Sequence, residues 1–153
     1  MKLTLREFLE TGRLGDIRLG MTRAEAQALL GPPEDISLTK DAVWKYGSLQ
    51  LYFHENRLWL IALYFPWDEF RLPNAFEAVG YLPSRETTLQ EFRKFLAESG
   101  IETNLDRTVD EAVILQVGPG IEVIFHREPE QILLETMQWS GQPPVRERVK
   151  ESR

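Results

Sequence analysis

The sequence predicts an α+β fold, a tandem of two units that each set a helix, or a helix-loop-helix, on antiparallel strands, with both units sharing one continuous sheet and the helices on one face. Three observations predict it. Val43 to Phe65 is densely aromatic and reads as consecutive strands, Leu49, Leu51 and Phe53 alternating with Gln50, Tyr52 and His54. A second set of short apolar runs, Val113 to Val117, Gly120 to His126 and Ile132 to Trp139, repeats the pattern in the other half. Each set follows an amphipathic segment with a threonine at its start and a glycine at its end.

Taken in order, Leu3 to Thr11 places Leu5, Phe8 and Leu9 at helical spacing, and Gly12 is a natural stop. Leu14 to Leu19 reads as a brief extended entry. Thr22 then caps a second helix, with Glu25 three residues on to complete a capping box, an apolar stripe of Ala26, Leu29 and Leu30, and Gly31-Pro32-Pro33 to end it. Glu34 to Asp41 is polar and reads as a loop. In the strands that follow, the Glu55-Asn56 turn sets a hairpin register in which Phe53 pairs with Leu58, Leu51 with Leu60 and Tyr52 with Trp59. The prolines at 66, 73 and 83, with Trp67, Phe70, Phe76 and Tyr81 between them, make residues 66–83 an aromatic connector and not a flexible linker. Glu86 to Ser99 is the clearest helix, capped by Thr87 or Thr88 and carrying Leu89, Phe92, Phe95 and Leu96 on one side. Ile101 to Arg107 leads into the second set of strands. Gly141 to Arg153 holds two prolines and six charged residues and is expected to be a disordered tail.

Residues 1–140 are therefore expected to form one domain built of two units, about 3–66 and 84–140. Aligning Leu49–His54 with Ile121–His126, and Ala26-Leu29-Leu30 with Phe92-Phe95-Leu96, gives an offset that drifts from 66 to 72 residues. One such unit leaves a sheet face and edges uncovered, and a second can cover or extend them.

The formal net charge of −6, with no Lys/Arg cluster flanked by aromatics, argues against a nucleic acid partner and favours a basic protein. The chain has no cysteine, which excludes disulfides, thiol catalysis and thiolate metal sites. Arg6, Glu7 and Glu10 interrupt what would have to be an apolar signal core, and Leu58 to Trp67 is too short to span a bilayer, so the expected setting is cytoplasmic and off the membrane.

Leu19-Gly20-Met21-Thr22 with Glu25, Leu29 and Leu30-Gly31-Pro32-Pro33, followed by Val43-Trp44-Lys45-Tyr46 and Phe53-His54-Glu55-Asn56-Arg57-Leu58, resembles the superfamily of β-lactamase inhibitory protein and the small outer-membrane-assembly lipoproteins. The resemblance covers about a quarter of the chain. It implies helix-loop-helix units on an antiparallel sheet, in the inhibitor two tandem copies forming a concave aromatic surface that binds protein. The second half has no counterpart to the Gly-Met-Thr and Leu-Leu-Gly-Pro-Pro elements.

No Ser, Cys or Thr sits in a nucleophile motif, and Gly118-Pro119-Gly120 is a lone turn with no helix after it to cradle a phosphate. His54 and His126 fall at comparable hairpin ends beside carboxylates, an arrangement better explained as polar turn entry than as a metal or acid/base site. Catalytic residues, cofactors and metals are accordingly expected to be absent. If Leu49, Leu51, Phe53, Leu58 and Leu60 face the helices, strand alternation puts Trp44, Tyr46, Tyr52, Trp59, Ile61, Leu63 and Phe65 on the opposite face as a candidate binding surface. Such a face is covered by the connector, by a second subunit or by a partner protein. The expected function is a non-catalytic protein-binding module, of the inhibitor or toxin-neutralising immunity type. The alternative is an enzyme or small-ligand binder with an apolar pocket between sheet and connector, walled by Trp67, Phe70 and Tyr81.

Overall fold

The computed structural model describes residues 1–37 and 42–140. Among them lie three helices, α1 (Leu5–Thr11), α2 (Arg23–Leu30) and α3 (Leu89–Ser99), and ten strands, β1 (Lys2–Leu3), β2 (Asp35–Ile36), β3 (Val43–Tyr46), β4 (Leu49–His54), β5 (Arg57–Tyr64), β6 (Glu77–Ala78), β7 (Thr103–Val109), β8 (Ala112–Val117), β9 (Ile121–Arg127) and β10 (Ile132–Ser140). The expected tail, and residues 38–41 of the expected loop, lie outside the described residues.

Eight strands form one antiparallel sheet in the order β2-β3-β4-β5-β10-β9-β8-β7, and β1 pairs with β6 in a separate parallel ribbon. The α+β class is as the sequence reads. Each half contributes four strands to the sheet, one more than the three the apolar runs suggest. The additions are Asp35-Ile36, within the expected loop, and Thr103–Val109, within the expected lead-in, and both are exposed along their whole length with no burial pattern to mark them. They are the two edges, and an edge strand has less need of an apolar face.

The helix signals hold locally. Thr22 and Thr88 each accept from the backbone N–H of the third helical residue while Glu25 and Glu91 return a bond to the cap, two complete capping boxes. Those bonds hold both glutamate carboxyls below the usual carboxylate range, the backbone bond from Thr22 or Thr88 contributing most. α1 is capped by Thr4 and begins at Leu5, two residues later than the periodicity suggests, because Lys2-Leu3 pairs with Glu77-Ala78 instead.

All three helices pack on the same face of the sheet. Phe92 of α3 meets Phe125 edge-on at 5.7 Å, the Arg23 guanidinium of α2 lies 5.0 Å over Phe53, and the end of α1 rests on Trp139 at Gly12 and on the β8–β9 turn at Gly118. The buried residues on this side form a single cluster spanning both halves. The connector completes this helical layer: Phe70 stacks on Phe65 at 4.7 Å, Leu72 and Phe76 pack against the core, and Tyr81 lies on Phe95 of α3. Trp67 lies apart from them, beside Leu133 at one end of the other face.

Candidate functional site

Which residues reach the other face is decided by one extra residue in β5. Phe53 pairs with Leu58 as expected, but Tyr52 pairs with Leu60 and Leu51 with Ile61, so Trp59 is a bulge. Beyond it the alternation reverses phase, and Ile61 and Leu63 join Leu58 on the helix side. Five of the seven expected face residues are therefore core. Trp44 and Tyr46 pair with Leu51 and Leu49, sharing their side of the pleat, and both are buried along with Ile61, Leu63 and Phe65. Tyr52 and Trp59 do lie on the outer face, their rings 6.2 Å apart and edge-on. Leu60, expected inside, joins them there.

Tyr46 shows what the inner side asks of a polar group. Its hydroxyl donates to the carbonyl of Gly31 at 2.8 Å and closes the end of α2, and burial raises its phenol from the ordinary 10.0 to about 12. The folded protein thus holds this proton more tightly than the unfolded chain. The associated stability is complete below about pH 10 and is lost as pH rises toward about 12. Tyr46→Phe is expected to flatten part of the alkaline decline in the urea midpoint. An unchanged pH dependence would reject that assignment.

Across the outer face the register aligns Asp35, Lys45, Gln50, Ala62, Gln138, Glu122, Gln116 and Leu105 in one row, one residue from each strand. The row is tied by hydrogen bonds within the sheet: Gln138 Nε2 donates to Glu122 Oε1 at 3.0 Å, and Arg107 Nη2 donates to Glu122 Oε2 at 2.9 Å. On one side of it stand Val43, Tyr52, Trp59 and Leu60, and on the other Tyr64, Ile124 and Ile114, all half-buried. The Tyr52 and Tyr64 hydroxyls meet at 3.1 Å, and Tyr52 also donates to Gln50 Oε1 at 3.1 Å. Burial, with a smaller part from the Tyr64 bond, raises the Tyr52 phenol, so Tyr52 presents ring and hydroxyl rather than charge.

At one end of this face Leu133 pairs with His126, and Trp67 shares a depression with Leu133, its ring over the Arg85 guanidinium at 4.3 Å. Trp67, Phe70 and Tyr81, expected to wall one cavity under the connector, instead go to three different neighbours, Arg85, Phe65 and Phe95. The two histidines do not meet either. β4 and β9 run in opposite directions with β5 and β10 between them, so His54 and His126 lie at opposite ends of the sheet, His126 Nδ1 being 2.9 Å from Glu128.

Sequence reasoning misses Leu60 and Tyr64 because their side of the pleat depends on the Trp59 bulge, and Ile114 and Ile124 because only pairing between the halves joins them to that face; neither feature has a local sequence signal. No family model, no curated protein and no solved structure matches the chain. Among the described residues, no helix is long and apolar enough to cross a membrane.

Proposed function

We propose that the chain is a non-catalytic protein-binding module that engages another protein through the outer face of its sheet. One observation carries the reading: an eight-stranded sheet has its helices and most of its connector on one face, while the other presents Tyr52, Trp59, Leu60, Tyr64, Ile114 and Ile124 around a hydrogen-bonded polar row. Rigid aromatics that combine apolar area with a hydroxyl, set among satisfied polar groups, are the composition of protein interfaces. The same surface is too apolar to serve only as a solvated side of a sheet.

The face is read as the product of a tandem duplication. Strand order is symmetric about the β5–β10 seam, and bulges fall at matching places, Trp59 beside the Phe53–Leu58 pair and Glu135 beside the Phe125–Leu134 pair. The residue before each helix cap accepts from the strand at the matching position, Met21 from Leu58 and Thr87 from Leu134. The separation grows from 66 residues at Thr22/Thr88 to 72 at Phe53/Phe125 and 76 at Leu58/Leu134, the last step falling where the second half has the longer turn. Two units joined edge to edge make one face wide enough for a protein partner, which is also what the resemblance to tandem inhibitors implies. Inhibitory or immunity-type action is the narrower form of this proposal.

Leu60, at the centre of the face, is the place to test it. Leu60→Arg is expected to abolish retention of a partner that wild type recovers from its native source, while Glu98→Arg on α3 leaves it unchanged. Light scattering separates the self-associating form, in which Leu60→Arg converts a dimer to monomer. A partner retained equally by both variants would overturn the reading.

A further inference from the structure

The geometry points to a second element of recognition on the same face: we propose that the depression beside Trp67 receives an arginine or lysine side chain of a basic polypeptide partner. It adds a partner class to the function proposed above and rests on that reading for its polypeptide setting.

Trp67 is 60% exposed, more than any other large hydrophobic among the described residues. Its ring is nevertheless anchored, because the guanidinium beneath it is fixed: Arg85 Nη1 donates to the carbonyls of Leu134 at 2.6 Å and Leu133 at 3.3 Å, and Nη2 lies 3.9 Å from Glu135. Arg85 is itself buried, and Glu135 offsets its charge. The indole therefore stands out from the surface in one orientation with much of its area open to solvent.

Beside it lies a depression of about 310 Å3, walled by Trp67, Pro129 and Leu133 and rimmed by Glu128, Glu130 and Gln131. Its lining includes no lysine or arginine. Glu128 is positioned by His126 Nδ1 at 2.9 Å, whereas Glu130 is exposed. An aromatic ring beside carboxylates attracts a cation twice, through the ring's negative face and through charge-assisted hydrogen bonds, while an anion meets only repulsion. The apolar wall suits the methylene stem that carries such a cation. The depression is open and shallow, so it holds one side chain of a larger partner, and the overall charge of −6 favours a basic one.

The four indole N–H resonances of the 15N-labelled full chain report on Trp44, Trp59, Trp67 and Trp139 separately. On titration with a short peptide alternating arginine and serine, the Trp67 resonance is expected to move and saturate, and a glutamate-for-arginine peptide is expected to leave it still. Glu130→Gln and Glu128→Gln should each weaken the response about fivefold, and about 0.5 M salt should remove most of it. No movement at about 1 mM peptide, or movement indifferent to both substitutions, overturns the proposal. Movement of Trp59 without Trp67 rejects this site while leaving the function proposed for the face intact. Loss of response at both rejects the site, and the Leu60→Arg comparison then judges the face independently. The chain's own Arg146, Arg148, Lys150 and Arg153 are a rival source of cations. If replacing all four with glutamine shifts Trp67 before any peptide is added, the occupant is that segment and the partner proposal fails.

Discussion

Gly118→Ala is expected to destabilise the protein by roughly 3 kcal/mol or more, among the largest effects of any single-methyl addition in the chain. A β-carbon at Gly118 would sit 1.9 Å from the carbonyl oxygen of Leu9 and 3.1 Å from its carbonyl carbon. The obstacle is backbone, so no side-chain rotation relieves it. Either the β8–β9 turn or the end of α1 must move, and neither is free to do so. The turn is held by Asn104 Nδ2 donating to the Gly118 carbonyl at 2.7 Å, and α1 is held by Phe8 and Leu9, both fully buried. The φ of +56° adds the left-handed penalty, on the order of 1–2 kcal/mol, which Gly20 isolates because it has φ +92° and nothing within 4 Å of where a methyl would sit. Gly20→Ala should therefore cost about 1–2 kcal/mol and Gly118→Ala clearly more, a difference of several degrees in melting temperature for a domain of this size. Equal shifts for the two variants would mean that α1 yields to the turn, and would sink the close-approach explanation.

That contact also marks the limit of what can be read from the chain. Gly118-Pro119-Gly120 is legible as a turn, but the need for glycine at its first position comes from α1, more than a hundred residues earlier in sequence. Local rules with a short reach succeed: the capping boxes at Thr22 and Thr88, the glycine stops at 12 and 100, and the Glu55-Asn56 turn, whose φ values of 50° and 60° give the twist a two-residue hairpin requires. The apolar alternation of β4, β8 and β9 is equally plain. The candidate face fails at a single residue. Leu58-Trp59-Leu60-Ile61-Ala62-Leu63 is apolar at every position, so its alternation carries no phase, and an inserted bulge is invisible in it. The same run, read without the bulge, exchanges the core and surface roles of Leu60 and Ile61. The seam between β5 and β10 has no local signal because it joins residues more than seventy apart.

Trp44 and Trp59 turn that exchange into a measurement, since alternation alone puts both on one surface and the pairing puts them on opposite ones. Trp44 is 5% exposed, pairs with Leu51 on the helix side and packs its ring 5.0 Å from Phe53. Truncating it removes a large buried side chain from the middle of the core and leaves a cavity among residues fixed by the sheet. Trp44→Ala is expected to cost roughly 3–5 kcal/mol, enough to lower the melting temperature by roughly 6–20 °C. Trp59 is the extra residue of a bulge, half-buried, with the Tyr52 ring as its aromatic neighbour, so Trp59→Ala should cost about 1 kcal/mol or less. Its effect should fall on association instead, where loss of an aromatic anchor costs on the order of 2 kcal/mol or about thirtyfold in affinity. Thermal unfolding of the two variants, with binding measured to whatever partner Leu60→Arg releases, reads both consequences. A melting temperature lowered as much by Trp59→Ala as by Trp44→Ala would place Trp59 in the core, and the outer face would lose its strongest candidate for an anchor.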